Sequence, residues 1–303
     1  MANMNSDNTR TSPAQTLRNL LAQDKLHTMP CCFDALSAKL IEQQQFGLTF
    51  MSGFAASASR IGAPDLGLMS YSEVLDQARN VCDAVQLPVI ADGDTGYGNA
   101  MNVRRTVSGF AKAGCAAVMI EDQQAPKRCG HTPGKEVVGR DEAFDRIKAA
   151  VDAREEGQDI LILARTDARH NHGLGEAIER AQRFYELGAD ILFVEAPADE
   201  AEMRQVCAEL PGAKMVNIVE GGKTPDLPAS VLEEMGFAIA AYPLTLMAAA
   251  MQGMLAALDA LQEDTSREEL ILDFASLRQR IGFEDYYEIS NRYSSSQRDE
   301  TKR

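Results

Sequence analysis

Positive charge is in short supply: 30 Lys and Arg stand against 45 Asp and Glu in 303 residues, a net charge of −15. A surface that acidic repels phosphate backbones and anionic lipid, so neither nucleic acid nor a membrane surface is an expected partner. An anionic substrate must then be met by local cations, a metal ion or backbone amides. Histidine is scarce as well, with four in the chain. His170 and His172 share a loop and His27 stands alone, so the ligand spacing of a zinc site is missing. The six cysteines (Cys31, Cys32, Cys82, Cys115, Cys129 and Cys207) form no CxxC pair, and Met1–Pro13 has no apolar core of a secretory signal. Free thiols in a reducing, cytoplasmic setting are expected, with Cys82, Cys115 and Cys207 in the core. Met235–Leu258 lacks charge over a length that would cross a bilayer. Pro243, Gln252, two glycines and eight alanines divide it into a β-like run and a helix-like run, and a membrane span is not expected.

What is present is an ordinary globular composition, 45% apolar and 25% charged, which excludes a disordered, collagenous or disulfide-stapled chain. Four times an amphipathic run ends in Gly and passes into unbroken apolar residues, at Gly47, Gly114, Gly188 and Gly236. Gly ends a helix in the left-handed conformation without a Cβ clash, and an apolar run without alternation is the mark of a parallel strand buried on both faces. Eight strands are expected, around Thr28–Cys31, Leu48–Met51, Pro88–Ala91, Ala116–Ile120, Ile160–Ala164, Ile191–Val194, Lys214–Val216 and Phe237–Ala241. Helical stripes lie between them, as in Glu73–Val85 and Leu174–Leu187. Eight such units predict a (β/α)8 TIM-type barrel over 14–262, with a disordered N-terminus at 1–13. A C-terminal helical tail is expected over 263–303, with Leu270, Ile271, Phe274, Leu277 and Ile281 along one helix and a frayed end from Ser294.

Catalytic groups of a barrel project from the C-terminal ends of its strands. There the sequence reads Asp92-Gly93-Asp94, Glu121-Asp122, Arg165-Thr166-Asp167, Glu195 and Asn217. Asp92 and Asp94, with Glu121 from the next strand, make an all-oxygen site suited to Mg²⁺, with Mn²⁺ as the alternative ion. Arg165 is placed to pair with a substrate carboxylate. The long loop 122–140 carries Cys129 between Lys127, Arg128 and His131, cations that stabilise a thiolate and make it useful in proton transfer. Gly130 and Gly134 give that loop the freedom to close over a ligand.

The runs Lys127-Arg128-Cys129-Gly130-His131, Asp92-Gly93-Asp94-Thr95-Gly96-Tyr97-Gly98, Glu121-Asp122-Gln123 and Ala164-Arg165-Thr166-Asp167-Ala168 resemble the isocitrate lyase/phosphoenolpyruvate mutase superfamily, in its carbon–carbon lyase branch. The resemblance implies that Asp92 and Asp94 hold Mg²⁺ with Asp65 and Glu121 in support. It implies that Ser52, Gly53 and Phe54 present groups to the 2-oxygen end of the substrate, and that Arg165 binds a carboxylate. Glu195, Asn217 and Pro243 would line the pocket with Gly130, Gly221 and Gly222 would take a second carboxylate, and Cys129 would be the general acid, with Lys127 and His131 beside it. Phe50 stands where the methylisocitrate lyase pattern carries Tyr, and Pro243 stands where oxaloacetate hydrolases carry Ser. Cleavage of a small 2-hydroxy diacid is therefore expected, 2,3-dimethylmalate to pyruvate and propionate. Methylisocitrate cleavage, oxaloacetate hydrolysis or decarboxylation and phosphonate chemistry are the alternatives. A homotetramer that exchanges the last barrel helix, about Leu244–Leu258, is also implied.

Overall fold

The eight apolar runs become eight parallel strands: β1 His27–Cys32, β2 Thr49–Met51, β3 Val89–Asp92, β4 Ala117–Glu121, β5 Leu161–Thr166, β6 Ile191–Val194, β7 Ala213–Asn217 and β8 Ile239–Tyr242. Each pairs with the next and β8 returns to β1, closing a barrel in the expected order. The structure is a computed structural model that describes residues 11–130 and 134–293. Residues 1–10, most of the N-terminus expected to be disordered, lie outside the described residues, as do His131 and the end from Ser294.

Helices cover the barrel: α1 Pro13–Leu21, α2 Ala35–Gln43, α3 Gly53–Ile61, α4 Tyr71–Ala84, α5 Ala100–Lys112, α6 Arg140–Glu155, α7 Ala168–His172, α8 Leu174–Glu186, α9 Glu200–Glu209 and α10 Ala229–Met235; α11 Thr245–Gln262 follows β8 in the chain. The caps explain several starts. Ser70 accepts from Glu73 N–H while Glu73 accepts from Ser70 N–H, a capping box that begins α4. Gly114, Gly188 and Gly236 take the left-handed conformation expected of helix ends, with φ of 92°, 103° and 99°. At the first repeat Gln45 does so instead, at φ 63°, because α2 ends two residues earlier than Gly47 requires.

Alternate strand residues face two cores. Met29, Ile90, Met119, Leu163, Phe193, Met215 and Ile239 fill the barrel interior, together with Ala14 and Leu17 of α1. Phe110, Phe184, Val81 and Val107 fill the layer between strands and helices, joined there by Cys115 and, half-buried, by Cys82 and Cys207. A fully buried Phe contributes roughly 1.5–3 kcal/mol, so these layers can hold a rim of buried charge in place.

Two compact units divide the chain, 1–247 and 248–303. In the second, α12 Phe274–Ile281 and α13 Phe283–Asn291 follow the end of α11. The expected single helical stripe is shorter than predicted: Leu270 and Ile271 precede α12, because the Asp273 side chain accepts from Ser276 N–H and caps the helix there. No helix among the described residues is long and apolar enough to cross a membrane.

Candidate active site

The acid cluster forms where β2 and β3 end. Asp92 closes β3, and its carboxylate accepts from Asp94 N–H at 3.0 Å and from Gly53 N–H at 3.2 Å. A Cβ at Gly53 would stand 2.4 Å from Asp92 Oδ2, so only glycine lets this amide reach the carboxylate. Asp94 is held at φ 49°, a strained conformation for a residue with a side chain. Its Oδ1 lies 2.6 Å from Lys127 Nζ, which is also 2.9 Å from the Asp65 carboxylate and 3.9 Å from Asp92 Oδ2. Lys127, read from sequence as a neighbour of the thiol, directs its ammonium to these carboxylates.

Burial and the charges of Asp92 and Asp65 push the Asp94 carboxyl up to about 6, against the pull of Lys127. Burial opposes the Lys127 charge but is outweighed by Asp94, Asp92, Asp65 and Glu121, which hold it above the ordinary lysine value. Burial also raises Glu121, although Arg165 and Lys127 favour its charge.

A second set surrounds Arg165. The strand register puts Glu121 of β4 beside Arg165 of β5, with Arg165 Nε 3.3 Å from Glu121 Oε2. Asp167 takes the Nε edge of the guanidinium with both oxygens, at 2.8 and 3.1 Å. Glu195 Oε2 lies 3.5 Å from Nη1 and accepts from Asn217 Nδ2 at 3.3 Å. The guanidinium rests 5.4 Å from the centre of the Phe193 ring. Burial works against its charge, and Asp167, Glu195 and Glu121 more than restore it. Asp167 thus holds the Nε–Nη2 edge, and Nη1 faces Glu195.

The loop after β4 is braced from outside the barrel. Arg146 of α6 donates to the carbonyls of Glu121 and Gln123, and Arg180 of α8 donates to Asp122 and to the Val138 carbonyl. Gln123 then receives from Arg128 N–H and donates to Arg128 O, both at 2.8 Å. This clamp delivers the half-buried Cys129 to the pocket. Gly130 lies against Arg165 and Glu195, where a Cβ would come within 2.5 Å of both.

A pocket opens to solvent at the strand C-termini. Of the residues singled out by sequence, Ser52, Phe54, Asp65, Asp92, Lys127, Cys129, Gly130, Arg165, Glu195, Asn217 and Pro243 line it. Gly53, Asp94 and Glu121 stand behind that lining. Gly221 and Gly222 lie in the exposed loop after β7, with Gly222 N–H donating to Val219 O. Phe50, singled out because the methylisocitrate lyase pattern carries Tyr there, also lines the pocket, but the sequence reading missed the rest of the apolar floor, Met119, Phe193 and Met215. Its only signal was that these residues close or sit inside barrel strands, which equally describes core.

The acids offer oxygen alone, the donor set of a hard cation. Among the described residues no three His, Cys, Asp or Glu side chains close on one point. An ion that keeps most of its waters, as Mg²⁺ does, needs only one or two carboxylates. Glu121 Oε1 is buried without a hydrogen-bond partner, and one ammonium faces three aspartates, so the residues fit such an ion.

The sequence model of the family described as phosphoenolpyruvate phosphomutase matches residues 17–262. A 2,3-dimethylmalate lyase of Eubacterium barkeri is 40% identical over 285 residues, 93% of this chain and 98% of its own. A crystal structure of 2,3-dimethylmalate lyase, described as a PEP mutase/isocitrate lyase superfamily member, superposes with a TM-score of 0.88 at 34% identity, covering 93% of this chain and 95% of that one. Oxaloacetate acetylhydrolase bound to 3,3-difluorooxalacetate gives 0.88 at 34% identity, over 92% and 96%. Phosphonopyruvate hydrolase bound to oxalate and Mg²⁺ gives 0.82 at 29% identity, over 93% and 99%. The chain belongs to the PEP mutase/isocitrate lyase superfamily and stands with its carbon–carbon lyases.

Proposed function

We propose that this protein is a Mg²⁺-dependent lyase that cleaves 2,3-dimethylmalate to pyruvate and propionate. The observation that carries the reading is one pocket in which a thiol, Cys129, faces an acid cluster, an arginine and an apolar floor together. Arg165 supplies the cation for a substrate carboxylate. Phe50, Met119, Phe193 and Met215 suit the methyl groups of a branched diacid better than a third carboxylate. Pro243 offers no hydroxyl at the rim, which favours lyase over hydrolase chemistry.

Bound Mg²⁺ (or Mn²⁺), held by Asp92 and Asp94 with Asp65 and Glu121 in support, supplies electrophilic stabilisation of the 2-oxygen and its neighbouring carboxylate. In the reaction the 2-hydroxyl loses its proton and the C2–C3 bond breaks, its electron pair passing to C3 while C2–O becomes the carbonyl of pyruvate. The Cys129 thiol protonates C3 to give propionate, and the thiolate regains a proton from solvent, which took up the hydroxyl proton. No redox change occurs. The Gln123 clamp and the contact of Gly130 with Arg165 keep the thiol over the pocket and limit water at C3.

Self-association completes the reading. Met254, Leu255, Leu258, Phe274 and Tyr286 are each more than half exposed, large apolar side chains that a partner subunit would cover. It supports a homotetramer with the last barrel helix exchanged, and light scattering should give four times 33.0 kDa. The function itself is tested by pyruvate release from 2,3-dimethylmalate, coupled to lactate dehydrogenase. Turnover should vanish with EDTA and return with excess Mg²⁺. No pyruvate under any metal condition would overturn the assignment.

A further inference from the structure

Outside the groups used above, one buried cation has no part in the reaction. Lys135 is 2% exposed, and its ammonium lies 2.6 Å from the Gly130 carbonyl and 2.6 Å from Asp167 Oδ1. Asp167, fully buried, is the residue that holds Arg165 with both oxygens, and its own N–H donates to Asp122 at 2.8 Å. Asn171 donates to the Lys135 carbonyl at 3.1 Å and fixes the backbone that carries this side chain.

We propose that Lys135 is a positioning residue, which ties the Cys129–Gly130 peptide to the carboxylate-binding Arg165 through their common partner Asp167. A buried ammonium is costly to desolvate, and an apolar side chain of the same size would serve packing alone at least as well. What the ammonium adds is direction. One donor fixes the carbonyl next to the thiol-bearing residue, and another fixes the carboxylate that orients the guanidinium. Gly130 already touches Arg165 and Glu195 so closely that no side chain fits, so the peptide has one seated position and Lys135 holds it there. Without the ammonium, Gly130 O loses a buried donor and Asp167 keeps Arg165 alone. The peptide then leaves its seat, and the thiol leaves with it. The consequence for turnover rests on the lyase reading above; the consequence for the peptide does not.

Two readouts test this on the full-length protein, comparing Lys135→Met, Lys135→Arg and wild type. Trypsin cleaves after the exposed Arg128, and cleavage of a transiently opened segment follows its open population. The methionine variant should be cut there about tenfold faster or more in the absence of substrate, with arginine restoring most of the protection. With 2,3-dimethylmalate and Mg²⁺, kcat should fall about a hundredfold while KM changes by less than about fivefold, as expected for a displaced catalytic group. Wild-type cutting in the methionine variant overturns the proposal, as does faster cutting with normal kcat, or a loss confined to KM. Lys135→Gln, which keeps a donor for Gly130 but no charge, decides by the same readouts if the methionine variant does not fold. Failure of the lyase reading is distinguishable: wild type would then show no turnover while the tryptic contrast persisted.

Discussion

Lys127 Nζ lies 2.6 Å from Asp94 Oδ1, so the residue two positions before Cys129 is anchored in the acid cluster at the end of β3. The loop is thereby held on one side by Lys127 among carboxylates and on the other by Gln123 on Arg128. Lys127 also competes for charge with any cation bound there. Replacing it by Met should tighten Mg²⁺ binding by about tenfold or more, because a positive charge near the ligands is gone, while turnover is lost. Isothermal titration at fixed ionic strength measures this. Weaker Mg²⁺ binding in Lys127→Met would contradict the geometry.

Metal affinity should also depend on pH. Asp94 is pushed up to about 6, first by burial and then by Asp92 and Asp65. A protonated carboxyl does not ligate, so Mg²⁺ affinity should fall as pH drops through about 6 and level off above it. Titrations at several pH values between 5 and 8 would expose a flat profile, which would remove Asp94 from the ligand set.

The Arg165–Asp167–Lys135 group has a stability signature of its own. Asp167 is held below the ordinary carboxyl value: burial opposes its charge, but Arg165 and Lys135 prevail. Asp167→Asn should therefore destabilise the protein by about 3–5 kcal/mol near pH 7 in urea unfolding, the usual effect of breaking a buried ion pair from one side. A depressed folded-state pKa gives stability that is complete above the unfolded value, 3.8, and is lost as pH falls below it. The gap between wild type and variant should thus stay constant from pH 7 to about 4 and shrink only below that.

Cys129 is the group on which the chemistry turns. Cys129→Ser leaves the clamp and the pocket shape in place but raises the cost of giving up the proton. The rate should drop by about 10² to 10⁴-fold with little change in substrate affinity. Near-normal turnover would move the acid to another residue.

Much of this was legible in the residues. The helix-ending glycines at 114, 188 and 236 and the apolar runs after them announce a barrel, and acids at strand ends announce its active rim. The partners were not legible. Nothing in the sequence says that Lys127 turns to Asp94, because that contact joins a loop to a strand end more than 30 residues earlier. The register of β4 on β5, which sets Glu121 against Arg165, follows from the closed sheet rather than from either strand. Met119 and Met215 read as core because barrel-interior and pocket-floor residues share one pattern. The left-handed Gln45 shows the same limit locally: a helix end is set by its last hydrogen bonds, and Gly47 lies too far on to supply it.

The most direct measurement of the central claim is a proton NMR assay in D₂O with Mg²⁺ and with EDTA. The panel is 2,3-dimethylmalate, 2-methylisocitrate, isocitrate, citramalate and oxaloacetate. The expected result is metal-dependent conversion of 2,3-dimethylmalate to pyruvate and propionate carrying one solvent deuteron at its C2, the carbon that was C3 of the substrate. Turnover of oxaloacetate alone, to oxalate and acetate or to pyruvate, would leave the barrel and its acid cluster standing and contradict the reaction.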